Sequence, residues 1–269
     1  MTTDYAGSTG CPGPKLERIA RAGFTHVHWC HQWNTDFVYS QCEIEQIALW
    51  LSQYGLKLLD LHGSAGVEKN WTSPREYERQ AGVELVANRL QMTARLGGDV
   101  VIMHLPAFPS ESDQQEEAWA RVFRSLSELE PTARRLGVRI AIENGNFDHI
   151  ERVLERWPSD YVGLCYDCGH GNLRPDGLDR LRRLRHRLVS VHLHDNDGTA
   201  DQHLVPFTGT VDWTRLAGTL ADSSYDKCVS LEAVMRQSPV TDEEVYLQQA
   251  FAAAGRLAEM VEAARGDRF

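Results

Sequence analysis

A chain of 269 residues, 42% hydrophobic and 25% charged, has the make-up of a globular protein with room for one sizeable core. No apolar run approaches the roughly 20 residues that span a bilayer, and Met1 to Gly13 lacks the basic start and apolar centre of a secretion signal, so a cytoplasmic protein is expected. With 28 basic against 38 acidic residues, a formal charge of −10 works against nucleic acid and anionic membranes as partners and favours a small-molecule substrate.

A weak strand near Thr2–Ala6 opens the pattern, and the glycine-proline stretch Gly10–Pro14 reads as a loop. Strands are then predicted over Phe24–Trp29, Lys57–Leu61, Val100–His104, Val138–Glu143, Val162–Asp167, Leu188–His194 and Cys228–Glu232. Amphipathic helices fill the gaps: Ile44, Ile47, Ala48 and Leu51 keep a 3.6-residue stripe, as do Trp119, Val122, Phe123 and Leu126. Ser40 with Glu43, Ser73 with Glu76 and Thr241 with Glu244 are spaced as capping boxes, and Gly55, Gly97 and Gly137 stand where helices should stop. Such alternation predicts a parallel α/β sheet. The length suits a single (β/α)8 TIM barrel, typically about 250 residues, occupying 1–269 as one domain without a linker or repeat.

The strands end in a pattern of their own. At or near their carboxyl ends stand His28, His62, His104, Glu143, Asp167, His194 and Glu232. In a parallel barrel those ends form one rim, so the residues converge on one pocket. Ile140–Ile142 runs straight into Glu143, and Val229–Leu231 into Glu232; carboxylates there need a partner or a cation. His192 and His194 share a strand face. Oxygen and nitrogen donors of this kind suit Mn²⁺, Mg²⁺, Co²⁺ or Zn²⁺. The six cysteines are expected as free thiols, and the lone Cys165-x-x-Cys168 pair reads as packing around Asp167.

These residues, in this order, resemble the xylose isomerase-like TIM-barrel superfamily of sugar isomerases, ketose 3-epimerases, dehydratases and endonuclease IV. The resemblance spans nearly the whole chain. It implies a metal held by Glu143, Asp167, His194 and Glu232, with both glutamates doubling as acid and base and His170 of the D-x-x-H segment touching substrate. His62, His104, Asp201 and His203 resemble the further ligands of the endonuclease branch, which implies two or three metals and phosphoester hydrolysis as the alternative. Asp195-Asn196-Asp197-Gly198 stands where the epimerases place an arginine. His28 is expected in the pocket wall, and Trp29, Trp33, Trp71, Trp213 and His192 are candidates to contact a sugar ring. The expected activity is isomerisation or epimerisation of a carbohydrate-like carbonyl compound, with dehydration also open. A divalent metal is the only cofactor expected, and a homo-oligomer is compatible with this reading.

Overall fold

The computed structural model describes residues 1–266, so the last three positions of the expected domain lie outside the described residues. Six parallel strands form one sheet in chain order: β1 (His26–Trp29), β2 (Lys57–His62), β3 (Val100–Met103), β4 (Arg139–Glu143), β5 (Val162–Asp167) and β6 (Leu188–His192). The helices among the described residues are α1 (Gly13–Arg21), α2 (Gln41–Gln53), α3 (Glu76–Arg95), α4 (Ser112–Leu136), α5 (Phe147–Leu154), α6 (Cys168–Asn172), α7 (Gly177–Leu184), α8 (Trp213–Ala221) and α9 (Glu243–Gly266). The architecture is α/β and TIM-barrel-like.

Eight strands were expected and six form regular ladders. The remaining two segments pair through single residues: Thr2 with His28 and Leu231 with Leu193, each parallel. The Thr2 amide donates to the Leu231 carbonyl at 2.8 Å, so hydrogen bonds run from β6 through both short segments to β1. Local chemistry shortens them. After Thr3 the chain turns, with the Gly7 amide donating to the Asp4 carbonyl at 2.8 Å. In the last segment the Tyr225 hydroxyl occupies the Cys228 carbonyl at 2.6 Å.

Strand alternation divides the side chains. Val101, Met103, Ile140, Ile142 and Leu164 join the main core, while Val100, Ile102, Ala141 and Cys165 form a small separate cluster on the other face. Continuing along that second face by twos leads from Ala141 to Glu143 and from Cys165 to Asp167. The same face that is apolar deep in the sheet thus becomes acidic at the carboxyl end.

Helix α2 forms as its stripe predicts, burying Ile44, Ile47 and Leu51 behind a closed capping box of Ser40 and Glu43. Two other capping boxes do not close. Ser73 Oγ accepts from the Arg75 amide at 3.1 Å and donates to Glu78 at 2.7 Å, leaving Glu76 to hold the buried Arg79. At α9, Asp242 rather than Thr241 caps, accepting from the amides of Glu244 and Val245 at 2.9 and 3.0 Å.

Helix α3 packs so closely on the chain beneath it that a Cβ at Gly82 would stand 2.1 Å from the Trp71 amide nitrogen and 2.3 Å from the Asn70 carbonyl carbon. Backbone cannot rotate aside. Gly82→Ala should therefore destabilise the fold by about 1–3 kcal/mol, read as a lower urea midpoint at unchanged slope. Gly218→Ala in α8, with nothing within 4 Å of the added carbon, should instead leave the midpoint unchanged or raise it.

Candidate metal centre

Two carboxylates are set by one cross-strand lock. The side chain of Asn144, just past β4, donates to the Asp167 carbonyl at 2.9 Å and accepts from the Asp167 amide at 2.6 Å. Glu143 and Asp167 are thereby fixed side by side, at 3% and 0% exposure. Asp167 also caps α6, accepting from the His170 amide at 2.7 Å, which brings the His170 ring to 3.5 Å from Glu143 Oε1. Glu232 follows the Leu231 bridge and puts Oε2 at 2.9 Å from His192 Nδ1.

One donor atom from each of Glu143, Asp167, His192 and Glu232 lies within 4.8 Å of the others. Imidazoles surround this group. His62 Nε2 and His104 Nε2 stand 3.4 and 3.3 Å from Glu143 Oε2. Beside it a further set of donors is formed by His194, Asp201 and His203, the two rings stacked at 3.9 Å. His170 Nε2 approaches Asp201 Oδ2 at 3.4 Å.

Burial pushes each carboxyl towards its neutral form, and the surrounding rings reverse the outcome. Glu143 is held well below the usual carboxylate range by His104, His192 and His62, and Glu232 by His192 and His28. Burial likewise disfavours a charged His170, but Asp167, Asp201 and Glu143 push it up to about 11. The centre thus keeps its glutamates anionic beside a cationic His170.

Several buried donor atoms, although close to one another, meet no partner in hydrogen-bonding geometry: Glu143 Oε2, both ring nitrogens of His192, His194 Nδ1 and Asp201 Oδ1. Buried polar atoms without partners are costly and rare, and their concentration at the convergence of strand ends fits the coordination shell of a cation. The donor set is oxygen and nitrogen, as Mn²⁺, Mg²⁺, Co²⁺ and Zn²⁺ prefer.

The structure places the remaining expected residues as follows. His192, expected as a substrate contact, lies among Glu143, Asp167 and Glu232, and His194, expected as a metal ligand, meets Asp167 from the neighbouring donor set. Two residues of strand separate the histidines by about 6.5 Å, so His194 rides above the group, at 2.9 Å from Asp167 and against His203. Trp29 is fully buried, donating to the Tyr39 hydroxyl at 3.1 Å, because its neighbour His28 takes the pocket face and alternation sends the indole into the core. Trp33 supplies the rim aromatic instead, its ring centre 4.6 Å from that of His62. It lines a cavity of about 930 Å³ together with Asp4, His203, Glu232, Met235 and Arg236.

Asp60 escaped the sequence reading. It is buried in β2 and binds His28 Nδ1 at 2.7 Å while accepting from Ser190 at 2.5 Å. A lone aspartate inside Leu58-Leu59-Asp60-Leu61 was the available signal, since an unpaired charge in an apolar strand is expensive.

Residues 16–256 match the family described as xylose isomerase-like TIM barrel. Uncharacterized protein y4fM of Sinorhizobium fredii is 33% identical over 93% of this chain and 89% of its own length. A D-psicose 3-epimerase of Enterocloster bolteae is 21% identical, covering 86% of this chain and 79% of its own. Among solved structures, D-psicose 3-epimerase with D-tagatose from Clostridium cellulolyticum H10 superposes with a TM-score of 0.79 at 18% identity, covering 97% of this chain and 98% of that one.

Charge pairing at the centre has a measurable pH signature. Burial disfavours the His203 cation, yet Asp201 at 3.0 Å, with Glu232 and Asp167, pushes it up to about 9. Raised above its unfolded value of about 6.5, this group stabilises the fold fully below that pH, and the contribution is lost as pH rises through about 9. Metal-stripped protein should lose thermal stability across that window. The loss should be smaller in His203→Gln, and equal slopes would contradict the pairing.

Proposed function

The chain belongs to the xylose isomerase-like TIM barrel family, and on that premise we propose that it is a divalent-metal-dependent epimerase or isomerase of a small polyhydroxylated carbonyl compound. The observation that carries this reading is the meeting of Glu143, Asp167, His192 and Glu232 within 4.8 Å, with buried donor atoms left unpaired there. The bridges at Thr2 and Leu231 support counting their segments as the remaining two strands of an eight-stranded barrel.

In this proposal those four residues hold the metal. When bound, the cation supplies Lewis-acid stabilisation of the negative charge that develops on substrate oxygens as a carbon-bound proton leaves. Glu143 ends β4 and Glu232 follows the Leu231 bridge, and in this proposal one carboxylate takes the proton and the other returns one. His170, a protonated donor beside both Asp167 and Asp201, hydrogen-bonds a substrate hydroxyl. Trp33 covers the ring and limits water. Return to the same carbon is epimerisation and return to its neighbour is isomerisation; loss of a β-hydroxyl would make the enzyme a dehydratase. A carbohydrate-like substrate agrees with the named activities of the E. bolteae relative and the C. cellulolyticum structure.

A second reading, a phosphoester hydrolase with several metals, draws on the additional donor set of His194, Asp201 and His203. The formal charge of −10 weighs against a nucleic-acid substrate. No helix among the described residues is long and apolar enough to cross a membrane.

Incubation of the Mn²⁺- or Co²⁺-loaded protein with D-psicose, D-tagatose, D-fructose or L-ribulose in D₂O should introduce deuterium next to the carbonyl; none with any ketose, alongside cleavage of a phosphoester, would favour hydrolysis. Chelation should abolish exchange, and Glu143→Gln should slow it more than about tenfold, or roughly 1.4 kcal/mol. His192→Ala should weaken metal binding far more than His194→Ala in calorimetric titration. The reverse order would restore His194 as the ligand.

A further inference from the structure

Beside the four-donor centre lies a group the proposed reaction leaves unused. His28, fully buried, is turned by Asp60, which takes its Nδ1 at 2.7 Å and is itself held by Ser190 at 2.5 Å. Its Nε2 therefore faces the opposite way, 2.8 Å from Cys30 Sγ and 3.6 Å from Glu232 Oε1. Cys30 Sγ lies 3.6 Å from the same oxygen, and Cys30 is 2% exposed. Glu232 is thus divided: Oε2 meets His192, and Oε1 meets the imidazole and the thiol.

We propose that His28 Nε2, Cys30 Sγ and Glu232 Oε1 form a second cation position that takes Zn²⁺ or Co²⁺, with Glu232 as the carboxylate shared between it and the four-donor centre. The inference rests on the reading of this pocket as a metal site. Tetrahedral bonds of about 2.0–2.3 Å separate donor atoms by about 3.4–3.6 Å. Two of the three edges already have that length. The third, the thiol–imidazole contact, must open by about 0.7 Å, which a modest rotation of the Cys30 side chain provides. Asp60 plays the part carboxylates take behind metal-bound histidines, fixing the tautomer so that Nε2 presents its lone pair. A thiolate with one imidazole and one carboxylate selects a borderline ion over Mg²⁺, which prefers oxygen donors alone. Occupation of this position would turn Glu232, already a ligand of the first ion, into a bridge between the two and withdraw it from proton transfer, so the second ion would modulate the reaction assigned to the first.

Cobalt titration of the full chain separates the two sites. Visible d–d bands report any bound Co²⁺, while a near-ultraviolet sulfur-to-cobalt band reports a thiolate ligand. The expected result is that both develop, that Cys30→Ser removes the sulfur band and keeps the visible ones, and that Asp60→Asn weakens the sulfur-bearing position about 10- to 100-fold. Visible bands without a sulfur band would overturn this proposal and leave the four-donor centre standing. A sulfur band that survives in Cys30→Ser would assign the thiolate to another cysteine and overturn it too. Absence of all bands would remove both readings. X-ray absorption of the zinc-loaded natural sequence requires no variant: a sulfur neighbour at about 2.3 Å is expected, and a shell of oxygen and nitrogen alone would refute the site.

Discussion

Everything at the carboxyl end of this sheet answers to the mutual repulsion of Glu143, Asp167 and Glu232. Donor atoms of the three lie within 4.8 Å of one another in a buried setting. At 4 Å two like charges repel by about 4 kcal/mol at an effective dielectric of 20, so the triplet requires compensating positive charge. His28, His170 and His192, whose charged forms are favoured here, stand within 3.6 Å of Glu143 or Glu232. A divalent cation would meet the same demand more compactly. The metal reading and the density of histidines at the rim are two consequences of one electrostatic constraint.

A second layer of hydrogen bonds holds that arrangement in place. Asn144 locks the ends of β4 and β5, and Asp60 turns His28. Gly169 leaves space for a ring, since a Cβ there would come within 2.0 Å of His194 Cε1. The run after β6 also works as scaffold. Asp195 accepts from the Trp213 indole at 2.9 Å and the Val211 amide at 3.1 Å, and Asn196 donates to the Gly169 carbonyl at 2.9 Å. Asp195 and Asn196, which stand where the epimerases place an arginine, anchor a loop. A cavity lined by Asp4, Trp33, Met235 and Arg236 reaches Glu232 and His203.

Much of this was legible in the residues alone. Six strands formed where apolar runs placed them, Val162–Asp167 to the residue, and helix stops fell at Gly55, Gly97 and Gly137, each with positive φ. Convergence of Glu143, Asp167 and Glu232 followed from their positions at strand ends, because a parallel sheet with short crossovers must gather those ends on one side. Periodicity and hydrophobicity act over a few residues, and the chain states them directly.

Which of two histidines meets the two glutamates, which tryptophan reaches the rim and what orients His28 depend on distances across strands. His192 and His194 share a strand face and differ only in height along it, which a linear reading cannot rank. Trp29 and Trp33 are both aromatic residues near one strand end, yet alternation buries one while the turn beyond β1 exposes the other to the pocket. The sequence by itself determined an α/β chain with acidic and imidazole groups at successive strand ends. Tertiary structure alone decided which of those groups meet, because register and height between neighbouring strands are set by packing the sheet against its helices.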